Sequence, residues 1–290
     1  MPSHCPSCEN RELSGTIFVR FGYFYRTCDS RWIQRFRCRS CRKTCSRASF
    51  SRWFRHKKRV KNEQLRRHFA SSGTIRRAAR TFSLNRKTVE RKLIALGFEA
   101  EANLRIESLA RDKVRIVEFD DMETFQHTKY KPLSITLAVQ KRTRRILGLE
   151  VSTMPAKGLI AEKARQKYGH RFDGRAIARA ELFRQLQDVV HEEALIKSDS
   201  NPHYAPDVAR FFPKARHVQH LGRRPASTGH GEIKKGKFDP LFALNHTCGM
   251  FRQNVSRLTR KTWVTTKRID RLRAHLFIYA DYHNQYLKNR

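Results

Sequence analysis

Between residues 113 and 153 the apolar and polar positions follow the rhythm of strands. The stretches "KVRIVEFDD", "PLSITLAVQ" and "RRILGLEVS" are β-type runs, and the polar "KRTR" joins the last two as a turn. A meander of antiparallel strands is the simplest arrangement they predict. The period then becomes helical, with Leu182, Leu186, Val189 and Val190 on one face, and leads into a second apolar strand, "ALIKSD". That strand ends at Asp199, before turn residues and a new helix. Upstream, Ile75, Ala78, Ala79 and Phe82 form one apolar helical face and Val89, Leu93 and Leu96 another, with the turn "SLN" between them. Asn85 is placed to cap the second helix and Gly97 to end it, while the small pair Ala78 and Ala79 lets the two helices approach closely. A last helix turns Ile269, Leu272 and Leu276 inward.

Charge changes the picture. The 290 residues, enough for two or three domains, carry 62 Lys+Arg against 26 Asp+Glu, a formal net charge of +36. That excess is far beyond what solubility needs and implies a polyanionic partner, with nucleic acid ahead of an anionic membrane. The chain has no apolar stretch near the length of a membrane span, no basic amphipathic segment with a bulky apolar face, and no signal-peptide core in "MPSHCPSCEN". An intracellular protein is expected, cytoplasmic and associated with the nucleoid, in which seven cysteines indicate metal or free thiols rather than disulfides.

The cysteines are grouped: "CPSC" at Cys5 and Cys8 is answered by "CRSC" at Cys38 and Cys41. Each C-x2-C pair can form a tight knuckle presenting two thiolates, and two knuckles complete the tetrahedral shell of a structural Zn2+. A segment of this size has little core, and the metal supplies the missing free energy. Cys28 and Cys45 remain, either as small buried residues or as substitutes in the shell. A redox role fits poorly, because there are two pairs and no βαβ context.

From residue 31 to 60 there is no Asp or Glu, and "RASFSRWFRHKKRVK" sets Trp53 and Phe54 among cations, the pattern of a phosphate-contacting connector over 51–61. The helical pair that follows has a helix-turn-helix pattern over 62–100. Its second helix exposes Arg86, Lys87 and Arg91 toward base edges, and Arg76 and Arg77 on the preceding helix suit phosphates.

Against this basic background Asp120 and Asp199 sit at the ends of apolar strands in a mixed sheet, where neighbouring strand ends bring them close. Two bare carboxylates about 4 Å apart repel by roughly 4 kcal/mol at an effective dielectric near 20, and a divalent cation removes that penalty. Mg2+ bridged by shared carboxylates can activate a water or hydroxyl on one side of a phosphodiester and stabilise the leaving oxygen on the other.

In "FRCRSCRKT", "TIRRAARTFSLNRKTVERKL", "VEFDDM", "IKSDSNPHY", "RQNVSRLTRKTW" and "YADYHNQY", taken in that order, the sequence resembles the DDE-class transposases of bacterial insertion sequences over almost its whole length. The resemblance implies a multidomain α+β protein: a zinc ribbon over 1–50, a helix-turn-helix DNA-binding domain over 62–100, and an RNase H-like catalytic domain with a mixed sheet over 113–290. It implies binding to the double-stranded terminal repeats of a mobile element and Mg2+- or Mn2+-dependent cleavage and strand transfer. Cutting two ends in concert makes at least a homodimer the expected form. Asp120 matches the first catalytic aspartate, with Asp121 its acidic neighbour, and Asp199 matches the second.

The third ligand departs from the pattern. A glutamate is expected about a dozen residues before the "RLTRKT" segment, and counting back from Arg257 reaches Asn245. Its amide oxygen can ligate Mg2+ but adds no negative charge. Asn245, Gly249 and Arg252 share one helix face, with Gly249 leaving room for substrate and Arg252 placed to bind phosphate. Glu232 is the alternative third ligand, and His230 and His246 are lesser ones because imidazole suits Mg2+ poorly. A DNA-binding regulator that has lost catalysis is the competing expectation.

Overall fold

The computed structural model describes residues 5–8, 17–27, 30–51, 53–54, 56–221, 239–259 and 263–288. The chain divides into two compact units, Met1–Gln64 and Leu65–Arg290.

The first unit is built on strands β1 (Phe18–Arg26), β2 (Arg31–Cys38) and the short β3 (Thr44–Cys45), antiparallel in that order. Its core is small: Cys5, Ile17, Phe18, Phe36, Cys38 and Cys45, with Phe50 edge-on to Phe18.

Three helices lead into the second unit: α1 (Lys61–Ala70), α2 (Ile75–Thr81) and α3 (Arg86–Leu109). Asn85 caps α3 as its sequence position indicates, its Oδ1 accepting the Lys87 N–H at 2.9 Å, and Thr74 caps α2 by accepting the Arg77 N–H at 3.2 Å. Gly97 does not end α3. The helix runs on to Leu109 because Gly97 is the crossing point with α8 (Ile269–Lys288), where it lies against Ala274. Arg273 of α8 ties the helices to the sheet, binding Glu101 of α3 and Glu150. Arg66 of α1 joins Glu99 at 3.1 Å and Asp281 at 2.7 Å.

The sheet contains β4 (Val114–Phe125), β5 (Pro132–Gln140), β6 (Ile146–Thr153), β7 (Val190–Asp199) and β8 (Arg216–His220), in the order β6-β5-β4-β7-β8. Strands β4, β5 and β6 form the expected antiparallel meander, whereas β7 and β8 run parallel to β4. The connections carry α4 (Ala161–Tyr168), α5 (Arg175–Leu186), α6 (Tyr204–Phe211) and α7 (Phe242–Asn254). Helix α5 stops at Leu186, and Val190 opens β7 rather than extending the helical face.

Alternation along the strands sorts the two cores. Val117 and Phe119 of β4 and Ala194 and Ile196 of β7 pack with Leu182, Phe183 and Val208 of α5 and α6. Met122 of β4 and Leu133, Ile135, Leu137 and Val139 of β5 face the opposite way, into a core shared with α3, α7 and α8. The helices over 65–109 therefore share one core with the sheet. The unit is α+β with a mixed five-stranded sheet, compatible with an RNase H-like domain.

Candidate functional site

Among the described residues, each unit holds a constellation with chemistry. In the first, the sulfurs of Cys5, Cys8, Cys38 and Cys41 all lie within 4.8 Å of one another. Cys5 and Cys41 are 3.7 Å apart and Cys8 and Cys38 3.8 Å apart. Four sulfurs about 2.3 Å from a tetrahedral ion have edges of about 3.8 Å, so the donor set fits Zn2+. The knuckles prepare the ligands: the Ser7 N–H donates to the Cys5 sulfur at 3.4 Å. The Cys41 N–H lowers the Cys38 thiol to about 6 against the opposing effect of burial. Cys45 goes the other way, raised by burial to about 11, and packs in the small core outside the shell. Cys28 lies outside the described residues.

The second constellation comes from strand alternation. Because Phe119 and Ile196 point into the α5–α6 layer, Glu118 and Asp120 of β4 and Lys197 and Asp199 of β7 point toward the α7 side. Strands β4 and β7 pair in parallel as far as Glu118 opposite Lys197, and the same register continued by two residues brings Asp120 level with Asp199, whose charge acts on it. Asp120 is not at a strand end, as its sequence suggests. β4 continues to Phe125, held throughout by β5, while β7 stops at Asp199. The pair thus occupies a step in the sheet, where one strand ends beside a longer one.

Asp120 and Asp199 are both half-buried. Asp120 Oδ1 accepts the Asp121 N–H at 2.7 Å and the Tyr204 hydroxyl at 3.0 Å, and Asp199 Oδ1 accepts the Asn201 N–H at 3.1 Å. Burial and then the charge of Asp199 push the Asp120 carboxyl up to about 7, against the pull of the Asp121 N–H and Tyr204 hydroxyl. Asp199 is raised as well, by burial and by the charge of Asp121. Tyr204 is raised by burial and by the same three aspartates, so it is a neutral donor. Carboxylates crowded in this way are short of positive charge, and a divalent cation fits the deficit.

Asp121 faces the other layer. It accepts a hydrogen bond from the Thr136 hydroxyl and lies 3.7 Å from buried Arg179, which also binds Asp207 at 2.7 Å. Its role is to anchor β4 to α5 and α6.

Helix α7 lies against β4 and β5. Exposed Asn245 donates its side-chain amide to Asp239 at 3.0 Å, which leaves the amide oxygen without a donor among the described residues. A Cβ added at Gly249 would meet nothing within 4 Å, so there is open space beside it, and Arg252 is half-buried one turn on. Cys248, immediately before Gly249, is raised to about 12 by burial, and the charge of Asp120 adds to the effect. Helix α7 therefore stands within electrostatic reach of Asp120. Among the described residues no His, Cys, Asp or Glu joins the two aspartates in a group of three. Glu232 and His230 lie outside the described residues, and His246 is turned toward the Arg144 guanidinium.

Sequence reasoning missed Glu118, Tyr204 and Cys248. Glu118 was within reach of the strand period, since it stands two residues from Asp120 and so on the same face. Tyr204 and Cys248 depend on packing between distant segments.

On α2 and α3, Arg76, Arg77, Arg86, Lys87 and Arg91 are all exposed. Arg86 makes a 3.0 Å ion pair with Glu90, which also holds Arg271 at 3.0 Å. Beneath them Ala78, Leu84, Val89, Leu93 and Leu96 are buried. Among the described residues no helix is long and apolar enough to cross a membrane.

No family model and no curated protein matches the sequence. Among solved structures, the chain is similar to the catalytic domain of the Mos1 mariner transposase, at 15% identity over 68% of this chain and 94% of that one. The TM-score of that match is 0.25.

Proposed function

We propose that the chain is a DNA transposase that binds the terminal repeats of an insertion sequence and, with a divalent metal, cuts their strands and transfers them. The observation that carries this reading is the parallel register of β4 and β7, which runs to Glu118 opposite Lys197 and whose continuation by two residues brings Asp120 level with Asp199 where β7 ends. The strand order β6-β5-β4-β7-β8, antiparallel on one side of β4 and parallel on the other, supports an RNase H-like assignment.

In this reading Asp120 and Asp199 hold Mg2+ or Mn2+, and the amide oxygen of Asn245 serves as third ligand. The metal supplies a lowered pKa for the attacking water or 3'-hydroxyl and charge neutralisation at the leaving oxygen. The chain's own groups do the rest. The Tyr204 hydroxyl and Asp121 N–H fix Oδ1 of Asp120 and leave Oδ2 to a ligand. Arg252 binds a phosphate beside the open space at Gly249. Arg86, Lys87 and Arg91 read base edges, Arg76 and Arg77 hold the backbone, and the four-cysteine cluster keeps Zn2+ as a structural ion. Concerted cutting of two ends requires at least a homodimer.

The test is strand cleavage of a DNA carrying the flanking element end, with Mg2+ or Mn2+, for the native chain and Asp120→Asn, Asp199→Asn, Asn245→Ala and Glu232→Ala. The reading requires metal-dependent cleavage that both Asp variants lose, and whichever of the last two fails identifies the third ligand. One observation favours a second reading, a DNA-binding regulator: Asn245 brings no charge, and no third acidic group joins the pair among the described residues. Tight binding of the end with cleavage under neither metal would select it.

A further inference from the structure

At the turn between β4 and β5 lies a cavity of about 560 Å³, a size common for ligand pockets. Its walls are the turn itself, the end of β6, helix α4 and the segment 169–172. They carry Lys131, Arg165, His170 and Arg171 and no Asp or Glu. The carboxylates nearby in sequence are engaged elsewhere: Glu123 with Lys157 at 2.9 Å, Asp173 with Arg175 at 2.6 Å, and Glu162 with the Gln166 amide at 3.2 Å. The cavity is therefore short of negative charge.

Two of its cations are held in place without being neutralised. The Lys131 ammonium lies 4.1 Å from the centre of the Tyr168 ring, and Tyr130 packs near that ring at 6.3 Å between centroids. Arg171 is half-buried, and one end of its guanidinium donates to the side-chain oxygen of Gln126 at 3.1 Å. Its Nε is buried with no partner among the described residues. Burial lowers its pKa, with no carboxylate to hold it up. A buried donor on a charged group costs folding free energy while it is unmade, so its presence in a cavity wall points to a ligand that completes it.

Chemistry and place select that ligand. A phosphate brings negative charge and several acceptor oxygens, the complement of a guanidinium fork and an ammonium. The Gln126 N–H donates to the Lys131 carbonyl at 2.7 Å, so Lys131 stands across from Gln126, six residues beyond Asp120 along β4. At about 3.3 Å per residue this is about 20 Å, the axial span of about six nucleotides of one DNA strand. We propose that the cavity binds a phosphate of the DNA about six nucleotides from the one at Asp120, with Arg171 and Lys131 as its ligands. The proposal rests on the reading that the chain works on DNA, but needs no cleavage.

The test is fluorescence anisotropy at several salt concentrations with the full zinc-loaded chain and a labelled duplex carrying the flanking element end, made with and without 5'-terminal phosphates. Arg171→Gln and Lys131→Gln should each weaken binding roughly tenfold at low salt and reduce the slope of log affinity against log salt by about 0.9, the share of one phosphate contact. Exposed Lys163, on α4 but outside the cavity, is the control, and Lys163→Gln should change the slope by less than half as much. Removing an uncompensated half-buried charge should leave the DNA-free Tm of Arg171→Gln unchanged or higher, and a binding loss accompanied by a lower Tm would make Arg171 a structural residue instead. An equal loss on both duplexes would identify an internal phosphodiester as the bound group, and a loss confined to the phosphorylated duplex a terminal monoester. An equally large loss of polyglutamate binding would mean that the cavity takes any polyanion, and slopes that match Lys163→Gln would remove it from DNA binding. A native chain that binds no duplex would overturn the DNA reading as well, whereas one that binds without cutting still decides the question.

Discussion

The backbone N–H of Leu244, in the first turn of α7, donates to Oε2 of Glu118 at 3.0 Å, two residues along β4 from Asp120. Glu118 is fully buried and its Oε1 has no partner among the described residues. Burial raises this carboxyl, while the amides of α7 and the charges of Lys141 and Lys197 pull it down. A carboxylate at the positive end of a helix fixes where that helix stands, and with it Asn245, Cys248 and Arg252. Glu118→Ala leaves buried amides without an acceptor and should destabilise the protein by about 1–3 kcal/mol in denaturant unfolding. Glu118→Gln keeps an acceptor and most of the stability. In the cleavage assay it should raise the Mg2+ concentration for half-maximal rate more than it lowers the rate at saturation. Unchanged metal dependence in a folded Glu118→Gln chain would leave Glu118 a packing role only.

The carboxyl pair makes stability depend on metal and pH together. With its folded pKa raised from 3.8 to about 7, Asp120 binds a proton that the unfolded chain has already lost, so metal-free stability falls as pH rises from about 4 to 7. Mg2+ competes for the same group. The Tm increase on adding Mg2+ should therefore be larger at pH 8 than at pH 6, and Asp120→Asn should abolish it while raising the metal-free Tm at pH 8. Differential scanning calorimetry checks both signs. An equal Mg2+ shift in native and Asp120→Asn proteins would place the metal elsewhere.

Local signals are readable where the interaction is local. The two C-x2-C knuckles, the β4–β6 meander and the Asn85 cap depend on neighbours in sequence, and all are found where the sequence puts them. Asp120 reads as a strand end because "DDMETF" turns polar. β4 nevertheless continues, since Met122 faces the core and β5 pairs with every residue to Phe125. Gly97 reads as a helix terminator because glycine commonly stands there. What decides its position is Ala274, on a helix that no local pattern connects to it.

At that crossing a Cβ on Gly97 would lie 2.4 Å from Ala274 Cβ and 2.5 Å from its Cα. The second of these is backbone and cannot rotate away. Alanine has the better helix propensity by about 1 kcal/mol, but overpacking against a fixed helix outweighs it. Gly97→Ala should lower stability by about 1–3 kcal/mol, and Ala274→Gly in the same chain should recover part of the loss. If Gly97→Ala raises the Tm, α3 and α8 do not approach as described.

His275 sets an acid limit of its own. It is buried on α8 with Nε2 2.8 Å from the Phe69 carbonyl, so Nε2 carries the proton, and Nδ1 has no partner among the described residues. Phe69 also places its ring beside the imidazole, and Arg257 and His68 bring positive charge toward it. Burial first, and then Arg257, lower His275 from 6.5 to about 3. Between those values the unfolded chain binds a proton that the folded chain refuses. The stability His275 confers in its neutral form is complete above about pH 6.5 and is lost progressively as pH falls toward 3. His275→Gln retains a donor for the Phe69 carbonyl and cannot titrate. Between pH 7 and pH 4.5 the native protein should lose about 2 kcal/mol more than this variant, read as the difference between their urea-unfolding free energies. Since every other titrating group is common to both proteins, parallel pH profiles would mean that the folded chain takes up the His275 proton as readily as the unfolded one.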